Sequence, residues 1–427
     1  MTEAELLGDV PIRPGSGADA PPGCGPLAPP SPRNPKPLRQ SVFEHVRAQG
    51  RAARADIARA LSVSAASVTA LTAELIALGL LREVGGAPLE GREAGRGRPP
   101  VALEIVPEGR HVAGIKLAEE RHSAALADFG GRILADAIRP TAPGRRSLAE
   151  AVDEVAALVA ALRERAPHAP PQAVGIGLSG LVDHATGEVA WSPLLEGSAL
   201  PFRAACEDRL GLPVHIDNDA HVLTLAELWF GAGRAISDFA VVTIEHGVGM
   251  GLVLDGRLFR GTRGMGLELG HTKVALDGAL CRCGRRGCLE AYLADYALVR
   301  EASTALGRSL RAPQTPQAVL ETLYAEAKRG HEAARAIFAR AGRYLALGLS
   351  NVVQVFDPAL VILSGERMRY DFLYAEEVMA EMRALALPSG REPARVEVHA
   401  WGDLVWAQGA VALALGAVTD ETLGRAP

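Results

Sequence analysis

From Leu38 onward the apolar positions fall into periods that define elements. Val42, Phe43 and Val46 recur at helical spacing, and Ile57 and Leu61 mark a second helix closed by a turn at Ser62-Val63. Ser64 is a suitable N-cap for a third helix, because its hydroxyl can accept from an otherwise unpaired amide of the first turn. Along that helix Val68, Leu71, Leu75 and Leu78 return every three or four residues, and Gly79 stops it in the position that favours a left-handed backbone. The other face holds only small, uncharged residues: Ala65, Ala66, Ser67, Thr69, Ala70, Thr72 and Ala73. Two short strands, over 80–84 and 101–105, then bracket a loop rich in glycine and arginine.

After residue 110 the pattern changes. Short apolar runs at 111–116, 123–127 and 132–135 predict a strand meander, and a related set recurs at 239–245, 250–254 and 257–259, where Asp255-Gly256 supplies a hairpin turn. Each set is followed by helical periodicity, as at 147–163 and 333–356. A meander that opens two successive halves predicts a duplicated, two-lobed α/β fold with a cleft, and ligands favour such interfaces.

Residues 1–37 stand apart. They hold ten of the 28 prolines, with glycines between and almost no apolar period, so the expectation is a disordered tail. The organisation expected is thus a tail over 1–37, a helical and hairpin module over 38–105, and a two-lobed α/β domain over 106–427. In a chain of 427 residues that is 48% hydrophobic but only 4% aromatic, aliphatic packing must fill the cores. No apolar run approaches the ~20 residues of a membrane span, and the first thirty residues lack the basic start and apolar centre of a secretory signal. A cytoplasmic location is expected.

Charge changes the picture locally. The net charge is -5, yet 36–100 carries ten Lys/Arg against six Asp/Glu. Three short helices, a small-residue face on the third, and a basic hairpin loop make a winged helix-turn-helix pattern. In that arrangement the third helix enters the major groove, and small side chains let its backbone approach the base edges. Ser67, Thr69 and Thr72 are candidate contacts to bases or phosphates, and Arg96 and Arg98 on the loop are candidate contacts to phosphate or a narrow minor groove. A helical packing module with a solvated loop has the same periodicity; the basic loop favours operator DNA as a partner.

The cysteines bring sharper chemistry. Cys281, Cys283 and Cys288 crowd into eight residues and follow His271, a spacing of H-x9-C-x-C-x4-C. Three thiolates and an imidazole match the tetrahedral preference of Zn²⁺ and leave no position for water, which predicts a structural site.

The residues around this cluster resemble the signature of the ROK family (repressors, open reading frames and sugar kinases). The resemblance is carried by Glu268-Leu269-Gly270-His271, by the run Cys281 to Glu290, by Asp217-Asn218-Asp219-Ala220 and by Gly175 to Asp183. It implies a two-lobed, actin-like (ribonuclease-H-like) ATPase fold, a sugar or sugar phosphate in the cleft, and dimers or tetramers. It also implies sugar contacts at Asn218, Asp219, Glu268, His271 and Glu290, with Asp219 at the position of the kinases' general base. One departure is Ser192-Pro193, followed here by Leu194 and Leu195 where sugar-binding members often have Asn.

A second departure bears on catalysis. Kinases of the family carry a D-x-G-G-T-like phosphate loop after the first strand; this chain has Ile115-Lys116-Leu117-Ala118-Glu119-Glu120. Where the kinases have a second phosphate turn beginning Gly-Thr-Gly, this chain has Ile244-Glu245-His246-Gly247-Val248-Gly249-Met250-Gly251, which is similar to the repressor branch. The expectation is therefore no enzyme but a sugar-responsive DNA-binding regulator, a repressor of carbohydrate-metabolism genes. The alternative is a ROK-type sugar kinase with an accessory DNA-binding domain.

Overall fold

The computed structural model describes residues 12–14, 22–28, 35–85, 101–306, 315–373, 375–387, 394–400, 402 and 404–424. They fall into two compact units, each made of three chain segments. The first comprises 16–237, 253–265 and 402–427, and the second 1–15, 238–252 and 266–401.

The first unit begins with three helices, Leu38–Gln49, Arg54–Ala60 and Ala65–Ala77. They bury Val42, Phe43, Val46, Ile57, Val68 and Leu75 against one another, as the periodicity requires. The second and third helices meet at a bend of 117°, within the range of helix-turn-helix motifs. Ser64 caps the third helix by accepting from the Ser67 amide at 3.0 Å. Gly79 (φ 68) ends it: the Leu80 amide reaches back to Leu75 O and the Gly79 amide to Ile76 O, each at 2.9 Å. The strands Leu81–Val84 and Ala102–Ile105 pair antiparallel, and Ala52–Ala53 adds to the free side of the latter. Arg96 and Arg98 lie outside the described residues.

The same unit carries a five-stranded sheet in the spatial order Val214–Asn218, Ala173–Leu178, His111–Leu117, Arg121–Asp128, Ile133–Pro140. The first three strands run parallel and the last three form an antiparallel meander. Side chains alternate between faces, so Ala113 and Ile115 join the core formed with the helix Leu148–Arg165. Gly114 and Gly175, register partners on neighbouring strands, face the other way. A Cβ on either would lie 2.2 Å from Ala407 O or 2.0 Å from Ala410 O, so the backbone of the helix Val405–Leu423 rests directly on the sheet.

The second unit repeats the plan. Its sheet runs Arg395–Ala400, Leu360–Ser364, Phe239–Ile244, Val248–Leu254, and the last strand turns through Asp255-Gly256 into Arg257–Phe259. Both turn residues have positive φ, 52° and 72°, as a two-residue hairpin requires. Leaving aside the edge strand Ile12–Pro14 of the second, each sheet has the order 3-2-1-4-5 when its strands are numbered along the chain. That recurrence is the duplication expected from the meanders, in the ribonuclease-H-like plan that the family resemblance implies.

The structure corrects the assignment of a structureless tail over 1–37. Ile12–Pro14 forms a parallel edge strand beside Val398–Ala400 in the second unit. Residues 22–28 are packed into the first: Cys24 is buried, its amide bonds Arg47 O at 3.1 Å, and the Gly25 amide bonds Trp229 O at 2.9 Å. Composition missed this because the segments are ordered by partners outside their own stretch of chain, from Arg47 to Trp229 and Val398. Leu78, read as part of the apolar stripe, is 56% exposed.

Candidate functional site

In the first unit the strand Val214–Asn218 passes without a loop into the helix Asp219–Phe230, and two candidate residues sit at the junction. Asn218 is the N-cap: its Oδ1 accepts from the Ala220 amide at 2.8 Å, and its Nδ2 donates to Gly180 O at 2.7 Å. Asp219 opens the helix, where the unpaired amides favour negative charge. Its Oδ2 accepts from Lys116 Nζ at 2.7 Å and from Ser179 Oγ, and its Oδ1 from the Ala220 amide at 3.0 Å. Burial works against the charge of Asp219, but Lys116 and the three donors outweigh it and hold the carboxyl below the ordinary aspartate value. Lys116 is itself buried, with Nζ 5.5 Å from the centroid of the Trp406 ring.

Beneath this junction lies a charge cluster that sequence reasoning did not single out. Asp217 is fully buried and accepts from His221 Nδ1 and Arg260 Nε, each at 2.7 Å, and from the Asn218 amide at 2.9 Å. Burial opposes its ionisation; His221 and Arg260 nonetheless hold it well below the usual carboxylate range. The cluster fixes the turn that presents Asn218. His221 was detectable as the i+4 helical neighbour of Asp217, whereas Arg260 comes from a distant segment. Leu194 and Leu195, at the departure from the sugar-binding pattern, bury their apolar side chains in the core.

The second unit gathers the other candidates. Glu268 precedes the single 3-10 turn Leu269–His271 and accepts the His271 amide on its carbonyl at 3.0 Å. The ligand atoms of His271, Cys281, Cys283 and Cys288 all lie within 4.8 Å of one another. Cys281 Sγ is 3.7 Å from His271 Nδ1, and Cys283 Sγ is 3.7 Å from Cys288 Sγ. Metal–sulfur bonds of ~2.3 Å in a tetrahedron imply sulfur–sulfur edges of about 3.8 Å, so the donor set has the size of a tetrahedral divalent ion's shell. Lys273 Nζ lies 2.7 Å from Cys288 Sγ. Gly287 (φ 74) is required here, since a Cβ would lie 1.5 Å from Ala275 O.

Glu290 starts the next helix and is drawn to the cluster. Its Oε1 is 3.5 Å from Cys281 Sγ and 3.4 Å from Tyr296 Oη, and its Oε2 is 3.4 Å from the Val248 amide. Because His271 turns Nδ1 toward Cys281, Nε2 is the ring nitrogen left to reach a ligand.

On the third helix of the winged module the DNA-contact candidates separate. Thr69 is exposed and its hydroxyl donates to Ala65 O at 2.8 Å; Ser67 is half-buried with its hydroxyl 2.8 Å from Ser64 Oγ. Thr72 is a correction. It is fully buried, accepts from Arg54 Nε at 3.0 Å and donates to Thr69 O at 3.1 Å, so it holds the helix-turn-helix together and faces no DNA. Its position in the heptad, one residue beyond Leu71, lies on the border of the apolar stripe, and the polarity of Thr obscured that.

Comparison with known proteins accords with this geometry. A model of the ROK family matches residues 112–417. The xylose repressor of Caldicellulosiruptor bescii is 26% identical over 377 residues, covering 85% of this chain and 91% of the repressor. Among solved structures, a ROK family transcriptional regulator, a homologue of the E. coli MLC protein, superposes with a TM-score of 0.74 at 26% identity, covering 90% of this chain and 96% of its own. A ROK family glucokinase from Streptomyces griseus, solved with glucose and AMPPNP, gives a TM-score of 0.62 at 28% identity and covers 71% of this chain and 99% of its own. No single helix among the described residues is long and apolar enough to cross a membrane.

Proposed function

The chain belongs to the ROK family, and from that premise we propose that it is a sugar-responsive, DNA-binding transcriptional repressor of carbohydrate-metabolism genes, without kinase activity. It acts in the cytoplasm as a homodimer or tetramer. The observation that carries this reading is the pairing of Lys116 with Asp219 in a chain that also has a winged helix-turn-helix arrangement. A general base must accept a proton from the sugar hydroxyl; Asp219 is instead held as a stabilised anion by an ammonium group and a serine hydroxyl. The loop that should cradle phosphate offers little. Its Ala118 amide is spent on His122 Nδ1 at 3.1 Å, and Glu119 and Glu120 are exposed acids.

Residues 38–105 serve as the DNA-binding module and 106–427 as the sugar-binding and oligomerising part. Ser67 and Thr69 on the third helix, with Arg96 and Arg98 on the hairpin loop, are the assigned DNA contacts. Asn218, Asp219, Glu268, His271 and Glu290 are the assigned sugar contacts. Carboxylates and amides suit adjacent sugar hydroxyls because they accept and donate several hydrogen bonds at once. A structural Zn²⁺ on His271, Cys281, Cys283 and Cys288 stiffens the loop that bears two of these contacts, and His271 ties the metal to the ligand through its second ring nitrogen.

The test is a pair of measurements on the full chain. Genomic fragments captured by the protein should be released or bound more tightly when D-xylose or D-glucose is added, and neither sugar should stimulate ATP consumption. Sugar-dependent turnover with no selective DNA capture would instead establish a kinase.

A further inference from the structure

The helix Asp219–Phe230 starts at two of the assigned sugar contacts and ends against the winged module. Its twelve residues span about 18 Å. At the far end Trp229 O accepts the Gly25 amide, and the Trp229 ring lies 4.5 Å from the guanidinium carbon of Arg47. Arg47 belongs to Leu38–Gln49, the first helix of the winged module, and is only 2% exposed. Its other neighbours are the rings of Phe43 and Phe129, at 5.4 and 5.9 Å, and Thr419 Oγ1, which accepts from Nη1 at 2.8 Å. Its Nε is buried without a hydrogen-bond partner. A cation removed from water and held mainly by aromatic faces keeps its place only while those rings keep theirs.

The helix is also poorly able to absorb a displacement along its length. Gly409 on Val405–Leu423 meets it so closely that a Cβ would lie 1.8 Å from Val222 O. The two helices therefore touch backbone to backbone. Both of their C-terminal ends meet the winged module: Arg39 Nε donates to Leu423 O at 3.1 Å, and Gln40 Nε2 to Asp420 Oδ1 at 2.6 Å.

We propose that Arg47 is the positioning residue through which sugar bound at Asn218 and Asp219 reorients the DNA-binding helices. A shift of the helix start moves Trp229, and the aromatic and Thr419 contacts of Arg47 carry that movement into Leu38–Gln49 and on to Ala65–Ala77. This inference rests on the regulator reading and specifies its route, which needs no displacement of the metal-held loop.

The experiment uses the full chain, a duplex selected by the wild type from a random pool, and D-xylose and D-glucose as probes. Operator affinity is measured by anisotropy with and without sugar, and sugar affinity by calorimetry, for wild type, Arg47→Met and Thr419→Val. Wild type should show a change in operator affinity within about 5- to 150-fold, the usual range of allosteric coupling. In Arg47→Met that change should fall below about twofold, while sugar affinity and sugar-free operator affinity stay within about threefold of wild type. Thr419→Val, which removes one hydroxyl contact, should give an intermediate response, and it decides the question if Arg47→Met fails to fold. An undiminished response in both variants overturns the proposal and leaves the regulator reading standing. Loss of sugar affinity in Arg47→Met also overturns it, because the residue would then act on the binding site itself. A wild type that answers to neither sugar sinks the effector reading and the route together.

Discussion

Lys116 Nζ lies 2.7 Å from Asp219 Oδ2, so the ammonium group of one neutralises the carboxylate of the other. The two are 103 residues apart in the chain, and the parallel strands on either side of Ala173–Leu178 bring them together. The Asp219 carboxylate is thereby a charge partner for Lys116 and a hydrogen-bond acceptor for Ser179 Oγ and the Ala220 amide.

Lys116→Met should destabilise the fold by about 3 kcal/mol, the low end for removing one partner of a buried pair, since 23% of the Asp219 side chain remains exposed. The sign of its pH dependence follows from the depressed carboxyl. In wild type the pair's contribution is complete above the unfolded aspartate value of about 4 and is lost as pH falls through the lower folded value. The gap between wild type and variant should thus be widest near neutrality and close below about pH 4. Urea melts across that range check it; a gap that widens in acid would contradict the assignment.

No sugar-dependent ATP consumption is expected from the wild type. A coupled assay with D-glucose, D-xylose and Mg²⁺-ATP should stay at background, and turnover near ~1 per second, within the ordinary enzyme range, would overturn the regulator reading.

Much of this was legible along the chain because it is local. The cap at Ser64, the Asp255-Gly256 hairpin and the four candidate metal donors each lie within a short window whose spacing fixes the geometry. What escaped was long-range. Pro22–Ala28 has the composition of a tail, and hydrogen bonds with Arg47, Trp229 and Arg234 help give it order. Thr72 looks like a base contact until Arg54 arrives from the preceding helix to occupy its hydroxyl. The Arg260–Asp217 bond joins segments that no periodicity relates.

The metal assignment predicts one zinc per chain in protein purified without chelator. Cys283→Ser should abolish stoichiometric zinc and lower the melting temperature by at least ~5 °C, because metal binding contributes directly to folding energy where ligands are otherwise unconstrained. Metal analysis and calorimetry on the same samples check both halves, and zinc-free wild type of full stability would refute the site.

The winged module should separate three kinds of substitution. Arg96→Ala or Arg98→Ala should weaken binding to all duplexes and reduce the slope of log affinity against log salt by about 0.9 for each phosphate no longer neutralised. Ser67→Ala or Thr69→Val should instead alter preference among operators. Thr72→Val should cost about 1 kcal/mol of stability, since it removes the acceptor of the part-buried Arg54 Nε, and leave sequence preference unchanged. A specificity profile shifted by Thr72→Val but not by Thr69→Val would reverse these roles.

The sugar response distinguishes a working effector site from a relic. Glu268→Gln preserves shape and removes charge without touching the Lys116–Asp219 pair, so it should weaken sugar binding while stability, zinc content and sugar-free operator affinity hold. Asp219→Asn should weaken sugar binding too, but with a loss of stability, because Lys116 is then left buried without its counter-charge. Reciprocity supplies an independent check: if sugar changes operator affinity by a given factor, operator DNA must change sugar affinity by the same factor. Calorimetric titration of D-xylose and D-glucose into the free protein and into its DNA complex measures both. Equal sugar affinities in the two states, beside an operator affinity that responds to sugar, would break the linkage and show that the response arises elsewhere. Sugar affinity unchanged in both variants would remove Glu268 and Asp219 from the site, whatever the DNA does.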